Sequence, residues 1–168
     1  MINNKQKYLF LFTIGPVQSF IAQARKTQDL YAGSKILTEL CRAGLDKATK
    51  LNAIPIFPSE EGMNDKEASL PNRFLVKFDR QIDEPEKIGQ NIEIAVRTYW
   101  KEQICKRIMN YKHINGVEEQ LDQQLEIHWV FNTYTNDYKT AYETIERLLG
   151  AVKNARQYVQ FTYQQDII

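Results

Sequence analysis

The segment that most restricts the fold is residues 7–14, KYLFLFTI, which is apolar or aromatic at nearly every position. A run of this kind without glycine or proline favours a β-strand. Because side chains alternate along a strand, both of its faces would be apolar, one with Tyr8, Phe10, Phe12 and Ile14 and the other with Leu9 and Leu11. We therefore expect an inner strand of a sheet whose second face is covered, either by the C-terminal helix or by another domain.

The rest of the chain predicts an ordered alternation of strands and helices. Apolar residues at helical spacing follow Pro16 to about Leu45, with a break at Gly33–Ser34 that is either a kink or a helix cap, and recur over 88–108 and 141–152. Strands are predicted at 53–57, 73–79 and 125–131, and the polar stretch 58–72 is predicted to be a loop. The order β-α-β-β-α-β is typical of an α+β, ferredoxin-like sandwich, here with an additional C-terminal helix. We expect one domain over residues 1–168.

Composition excludes several classes of protein. The chain has 168 residues, of which 43% are hydrophobic and 26% charged, so it is not intrinsically disordered. No apolar run approaches the roughly 18 residues of a membrane span, and no signal peptide is evident, so we expect a soluble, cytoplasmic protein. Cys41 and Cys105 form no C-x-x-C pair, which argues against a disulfide scaffold or a structural zinc site. Residues 1–50 hold eight Lys/Arg and three Asp/Glu, which favours binding of an anion at that end. Ordinary lysines on helix surfaces would give the same excess.

The segment TIGPVQSFIAQARKTQDLYAGS, residues 13–34, is the strongest candidate for a binding site. It predicts a strand, a Gly-Pro turn and a helix N-terminus, whose free N–H groups and dipole favour an anion. A generic strand-to-helix turn capped by water has the same features. The residues that could contact such an anion are Gly15, Pro16, Val17, Gln18, Ser19, Arg25, Gly33 and Ser34.

The same segment resembles the first palm-like domain of the large, polymerase-like subunit of type III CRISPR effector complexes, and most of all the type III-B (Cmr or RAMP-module) branch. That family carries a G-P-V-Q-x-F-I turn followed by A-R-x-T-x-D-L-x-x-G-S, which this sequence matches from Gly15 to Ser34. The stretches IFPS (56–59) and LPNRFLVKF (70–78) resemble two further family segments in the same order. Beyond residue 80 only the order of predicted elements is similar.

The resemblance implies a role in antiviral defence as the N-terminal part of a larger subunit. Family members have two palm domains of the adenylyl-cyclase type, with ATP between them, which implies that the eight residues named above bind a nucleotide. The second palm carries the Gly-Gly-Asp-Asp hairpin that makes cyclic oligoadenylates from ATP and magnesium when target RNA is bound, and the first is a degenerate partner. The implied partners are the second palm, other effector subunits, and crRNA and target RNA through the complex, with no membrane.

Catalytic residues are missing from the places where the resemblance would require them. Two-metal chemistry needs carboxylates at the end of the first strand and in the following hairpin, but residues 13–15 and 70–73 contain none. The acids of the intervening loop are expected to be solvated, and His113 and His128 stand alone, without an HD motif. We therefore expect the isolated chain to have no catalytic residues, no metal site and no cofactor, and His128 to be a surface residue.

An independent RRM-like domain that binds single-stranded RNA is the alternative function. The strand aromatics Tyr8, Phe10, Phe12, Phe74 and Phe78 could form a stacking platform for bases. Exposure of these side chains beside basic residues would favour that function.

Overall fold

The sheet has four antiparallel strands, with β1 in an inner position. A computed structural model of the chain describes residues 7–15, 27–65, 68–80, 82–106, 124–134 and 137–155. Its strands are β1 (Lys7–Gly15), β2 (Ile54–Phe57), β3 (Arg73–Phe78) and β4 (Glu126–Tyr134). Their order in the sheet is β2-β3-β1-β4. The α+β class and the inner position of the first strand are therefore confirmed.

Four α-helices lie in the part of the chain that the structure describes. They are α1 (Thr27–Lys50), α2 (Glu60–Asn64), α3 (Pro85–Tyr99) and α4 (Tyr138–Asn154). Helix α3 continues directly into a π-helical turn at Trp100–Cys105. None of the helices in the described ranges is long and apolar enough to cross a lipid bilayer.

Two of the sequence predictions are wrong in detail. Helix α1 runs without interruption through Gly33 and Ser34, where a break was expected. A glycine within a helix costs only about 1 kcal/mol relative to alanine, and the burial of apolar side chains later in α1 outweighs that cost. The predicted loop 58–72 contains the short helix α2, which begins after Ser59, whose hydroxyl accepts a hydrogen bond from the Gly62 N–H at 3.4 Å.

Each face of the sheet carries its own apolar core. The larger core lies between the sheet and helices α1 and α3, and the Phe10, Phe12 and Phe74 side chains at its centre are fully buried. On the opposite face, Leu9 and Leu11 pack with Ile145 and Leu149 of α4. The expectation that something covers the second face of β1 is thus confirmed, and the C-terminal helix is what covers it.

Candidate functional site at the end of the first strand

A cleft of about 240 Å³ opens where β1 ends. Its walls come from β1, the segment before β3, β4 and the C-terminal part of α4. The lining residues are Thr13, Ile14, Gly15, Asn72, Glu126, His128 and Lys153. The sheet and the helix that covers its second face thus meet at one polar corner.

Strand register decides which residues of β4 reach this corner. In the antiparallel pairing of β1 with β4, Thr13 lies opposite His128 and Gly15 lies opposite Glu126. A Cβ atom placed on Gly15 would lie 3.6 Å from the Glu126 carboxylate oxygen Oε2, an ordinary contact distance. The absence of a side chain at Gly15 therefore leaves space directly beside a carboxylate.

Asn72 fastens the segment before β3 to the end of β1. The Ile14 N–H donates a hydrogen bond to the Asn72 carbonyl at 2.8 Å, and the Asn72 side-chain amide donates to the Ile14 carbonyl at 2.8 Å. This reciprocal pair satisfies backbone groups that would otherwise need water at the strand end. One wall of the cleft is therefore fixed by hydrogen bonds rather than by packing alone.

Helix α4 is held in place by contacts that also position Lys153. The Arg73 guanidinium forms an ion pair with the Glu146 carboxylate, and the Asn132 side-chain amide donates to the Ala141 carbonyl at 3.0 Å. Burial alone would raise the pKa of Glu146, but hydrogen bonds from Tyr142 and Arg73 lower it below its ordinary value. Lys153 lies two helical turns after Glu146, on the same side of α4.

The cleft combines one negative, one positive and one neutral ionisable group. Burial, together with the positive charge of Lys153, lowers the pKa of His128 below 6.5, while the nearby carboxylates of Glu126 and Glu93 oppose this shift more weakly. The imidazole is therefore neutral at pH 7. Glu126 and Lys153 are left as the charged groups among the described lining residues.

The depressed pKa of His128 predicts a pH dependence of stability. Below pH 6.5 the unfolded chain binds a proton at this histidine more readily than the folded chain does. The free energy of unfolding should therefore fall as the pH is lowered from 6.5 through the folded-state pKa of His128. The change is measured by urea denaturation at several pH values, with His128→Asn as the matched variant.

In the His128→Asn variant the slope of stability against pH just below 6.5 should be reduced. A histidine C–H NMR titration that gave His128 a pKa above 6.5 in the folded chain would contradict this assignment.

The predicted site residues separate into three groups. Gly15 lines the cleft. Pro16, Val17, Gln18, Ser19 and Arg25 lie outside the described residues. Gly33 and Ser34 lie within α1, half-buried and exposed respectively, and are not among the described residues that line the cleft.

Sequence reasoning missed the contributions of β4 and α4. The prediction that the first strand itself ends without an acid is correct, but β4 places Glu126 directly opposite Gly15. His128, expected to be an isolated surface residue, is half-buried and lines the cleft together with Glu126. No group of three or more His, Cys, Asp or Glu side chains suited to a metal ion occurs in the described ranges.

The stacking platform that the alternative function requires is absent from the described sheet, where these aromatics belong to the core. The five strand aromatics on which it depended are at most 7% exposed, because α1 and α3 cover their face of the sheet. A buried ring cannot stack on a base. The alternative function as an RRM-like domain therefore loses its basis.

A family model described as CRISPR-associated protein Cmr2, N-terminal, matches residues 9–105, more than half of the chain. The chain belongs to the Cmr2 N-terminal family. The match begins inside β1 and ends at the last residue of the π-helical turn. The resemblance to the large subunit of type III-B effectors, noted from the Gly15–Ser34 segment, is thereby confirmed. Glu126, His128 and Lys153 lie beyond the matched part, so the cleft joins the Cmr2 N-terminal region to residues that follow it.

A solved structure shares the fold. One chain in the cryo-EM structure of the type III-B Cmr-beta complex bound to cognate target RNA superposes with a TM-score of 0.57 at 14% sequence identity. The similarity covers 94% of this chain and 24% of that chain, so this Cmr2 N-terminal family member spans about a quarter of the relative's length. No curated protein matches the sequence.

Proposed function

We propose that the chain is a palm-like domain of the large subunit of a type III-B CRISPR effector, and that it helps to bind ATP without transforming it. The active centre would lie on a second palm of the same subunit, and the whole subunit would make cyclic oligoadenylates in antiviral defence. The observation that carries this proposal is the polar cleft beside Gly15, at the end of the inner strand.

The strand order supports a palm of the ferredoxin-like type. Helix α1 connects β1 to β2, α3 connects β3 to β4, and the sheet order is β2-β3-β1-β4. Two interleaved β-α-β units give this arrangement. The cleft lies at the end of β1, the strand that precedes the first helix in the chain.

The size of the cleft suits part of a nucleotide rather than all of it. Pockets that enclose a whole small ligand measure roughly 300–1,000 Å³. The cleft measures about 240 Å³ and is open to one side. This cleft would therefore leave much of a bound ATP molecule uncovered, so that a second protein surface could contact it. Binding between two palms requires such an arrangement.

The lining groups fit contacts to phosphate and hydroxyl oxygens. The Lys153 ammonium can donate to a phosphate oxygen, and the missing side chain at Gly15 allows close approach of the ligand. The Glu126 carboxylate can accept a hydrogen bond from a ribose hydroxyl. The His128 imidazole, neutral at pH 7, adds no charge that would oppose either contact.

The residues of the cleft fit nucleotide binding but not a pair of magnesium ions. Two-metal catalysis needs several carboxylates around the ions, whereas Glu126 is the one carboxylate among the described lining residues. The exposed acids Glu60, Glu61 and Asp65 lie on or beside α2, away from the cleft. In this proposal the second palm supplies the metal ligands, and the chain alone is not an enzyme.

The proposal includes partners and location. The structurally similar chain belongs to a type III-B complex bound to target RNA. We expect this chain, as one domain over residues 1–168, to contact the second palm and other effector subunits, to meet crRNA and target RNA through the complex, and to act in the cytoplasm.

Binding of a non-hydrolysable ATP analogue, measured by calorimetry on the intact subunit, tests the proposal. Lys153→Met should weaken binding about tenfold by removing a charged hydrogen bond to phosphate. Gly15→Val should weaken it as well, because its side chain would enter the cleft where a Cβ meets no severe contact. Lys139→Met, at an exposed position near the other end of α4, is the matched control and should bind as the unmodified subunit does.

Unchanged affinity in both cleft variants would contradict the proposed binding site. Magnesium-dependent conversion of ATP by the isolated chain would contradict the proposed absence of catalysis.

A further inference from the structure

Two polar side chains are almost fully buried in the described part of the chain, and they differ in their hydrogen bonding. Thr13 and Thr38 are each 2% exposed. The Thr38 hydroxyl donates a hydrogen bond to the Leu70 carbonyl at 3.4 Å. The Thr13 hydroxyl forms no hydrogen bond with a described residue. Because a buried hydroxyl without a partner is unfavourable, Thr13 requires an explanation that Thr38 does not.

The position of Thr13 in the sheet directs its side chain into the cleft. Thr13 lies on the face of β1 that α4 covers, and it lines the cleft at the strand end. Its register partners on the two neighbouring strands are Arg73 of β3 and His128 of β4. Arg73 is paired with Glu146, whereas His128 also lines the cleft. The Thr13 hydroxyl and the His128 imidazole are therefore adjacent groups on one wall of the cleft.

This wall carries hydrogen-bonding groups without a positive charge. The Thr13 hydroxyl can donate and accept, and the His128 imidazole, neutral at pH 7, has one donor and one acceptor nitrogen. Glu126 lies two residues before His128, about 7 Å along β4, and its carboxylate only accepts. A phosphate placed here would meet a carboxylate of like charge, whereas the hydroxyls of a sugar would find both donors and acceptors. The one cation among the described lining residues is Lys153, which reaches the cleft from α4.

We propose that Thr13 and His128, together with Glu126, bind the ribose hydroxyls of the nucleotide, so that the cleft selects ribonucleotides over deoxyribonucleotides. This inference rests on the proposed function and adds an orientation to it, with the sugar against the β1–β4 pair and the phosphates towards Lys153. A site that hydrogen-bonds a ligand hydroxyl discriminates strongly against an analogue that lacks it, because the buried protein group is then left unpaired.

Calorimetry on the intact subunit tests this selection with one non-hydrolysable ATP analogue in its ribo, 2′-deoxy and 3′-deoxy forms. At least one deoxy form should bind the unmodified subunit about tenfold or more weakly than the ribo form does. Thr13→Val keeps the shape of the side chain and removes the hydroxyl. In this variant the ribo form should bind about fivefold more weakly, and its advantage over that deoxy form should shrink to within about twofold.

Thr38→Val is the matched control, since it makes the same chemical change at an equally buried position on α1. It should leave both the nucleotide affinity and the discrimination between ribo and deoxy forms unchanged. Urea denaturation should separate the two variants in the opposite way. Thr38→Val should be less stable than the unmodified chain because the Leu70 carbonyl loses its donor, whereas Thr13→Val should be at least as stable.

A clear loss of stability in Thr13→Val would show that this hydroxyl is bonded within the protein, and it would overturn the proposal. Equal binding of the ribo and both deoxy forms by the unmodified subunit would overturn it as well, as would undiminished discrimination in Thr13→Val. The proposed function would survive those results if Lys153→Met still weakened binding. A subunit that bound no form of the analogue would contradict both.

Discussion

Replacing Phe10 with alanine should lower the free energy of unfolding by about 3–5 kcal/mol, the range for truncating a buried aromatic side chain. Phe10 is fully buried on the inner strand β1. Its ring lies 4.6 Å from Phe131 and 6.0 Å from Phe74, measured between centroids. The vacated space is bounded by strands on both sides and by helices above, so the surroundings can collapse only in part. Urea denaturation of the two chains measures the difference.

Phe57→Ala is the control for this prediction. Phe57 lies on the short edge strand β2 and is 48% exposed, so the same chemical change removes less buried surface and should cost less than about 1.5 kcal/mol. Equal losses in the two variants would show that β1 does not hold the central position described here.

Replacing Gly89 with alanine should destabilise the chain by about 1–3 kcal/mol, even though alanine favours a helix by about 1 kcal/mol. A Cβ atom at this position of α3 would lie 2.5 Å from the ring of Trp129, closer than real contacts allow. The ring is restrained, because the Trp129 indole N–H donates to the Glu93 carboxylate at 2.9 Å. Helix α3 and strand β4 would therefore have to move apart. Thermal and urea denaturation measure the loss.

Gly150→Ala is the matched control on α4. A Cβ atom there would have no heavy atom within 4 Å, so helix propensity alone acts and the chain should become more stable by about 0.5–1 kcal/mol. The two Gly→Ala variants should thus have effects of opposite sign. If Gly89→Ala were also stabilising, the close packing of α3 on Trp129 would be refuted.

The order of elements could be predicted from the chain because each element carries its own periodicity. The alternation in residues 73–79 and 125–131 predicted β3 and β4, whose observed bounds are Arg73–Phe78 and Glu126–Tyr134. The apolar faces on both sides of residues 7–14 predicted an inner, doubly covered strand. Hydrophobic spacing is a local property, so it can be read without knowing what each face packs against.

The errors in the fold arose where local signals were weak compared with tertiary packing. Glycine and serine at positions 33–34 suggested a break, but α1 stays helical there. The polar composition of 58–72 gave no indication of α2. This helix is stabilised by a residue of α1, since the Arg42 guanidinium donates hydrogen bonds to the Met63 and Asp65 carbonyls. A five-residue helix is marginal by itself, and a distant side chain that binds its carbonyls leaves no local signature.

For the candidate site too, local sequence signals predicted one part and tertiary packing decided the other. Gly15 was predicted because the Gly-Pro turn lies within one continuous motif. Glu126, His128 and Lys153 were not predicted to belong to the site, because they follow far along the chain and nothing in their own neighbourhood distinguishes them from surface residues. The pairing of Thr13 with His128 and of Gly15 with Glu126 brings the two β4 residues there, and a shift of one residue would turn both side chains to the other face. Lys153 reaches the cleft from α4.

The amino-acid sequence alone determined the membership in the Cmr2 N-terminal family, the α+β class and the place of Gly15 at the end of the first strand. Motifs and hydrophobic periodicity are properties of neighbouring residues in the sequence, so they can be identified without the structure. The tertiary structure alone decided that α4 covers the second face of the sheet and that an acid and a lysine share the corner with Gly15. These features depend on register and on helix placement. Both are set by contacts between residues distant in the chain, and no local sequence pattern indicates the free energies of those contacts.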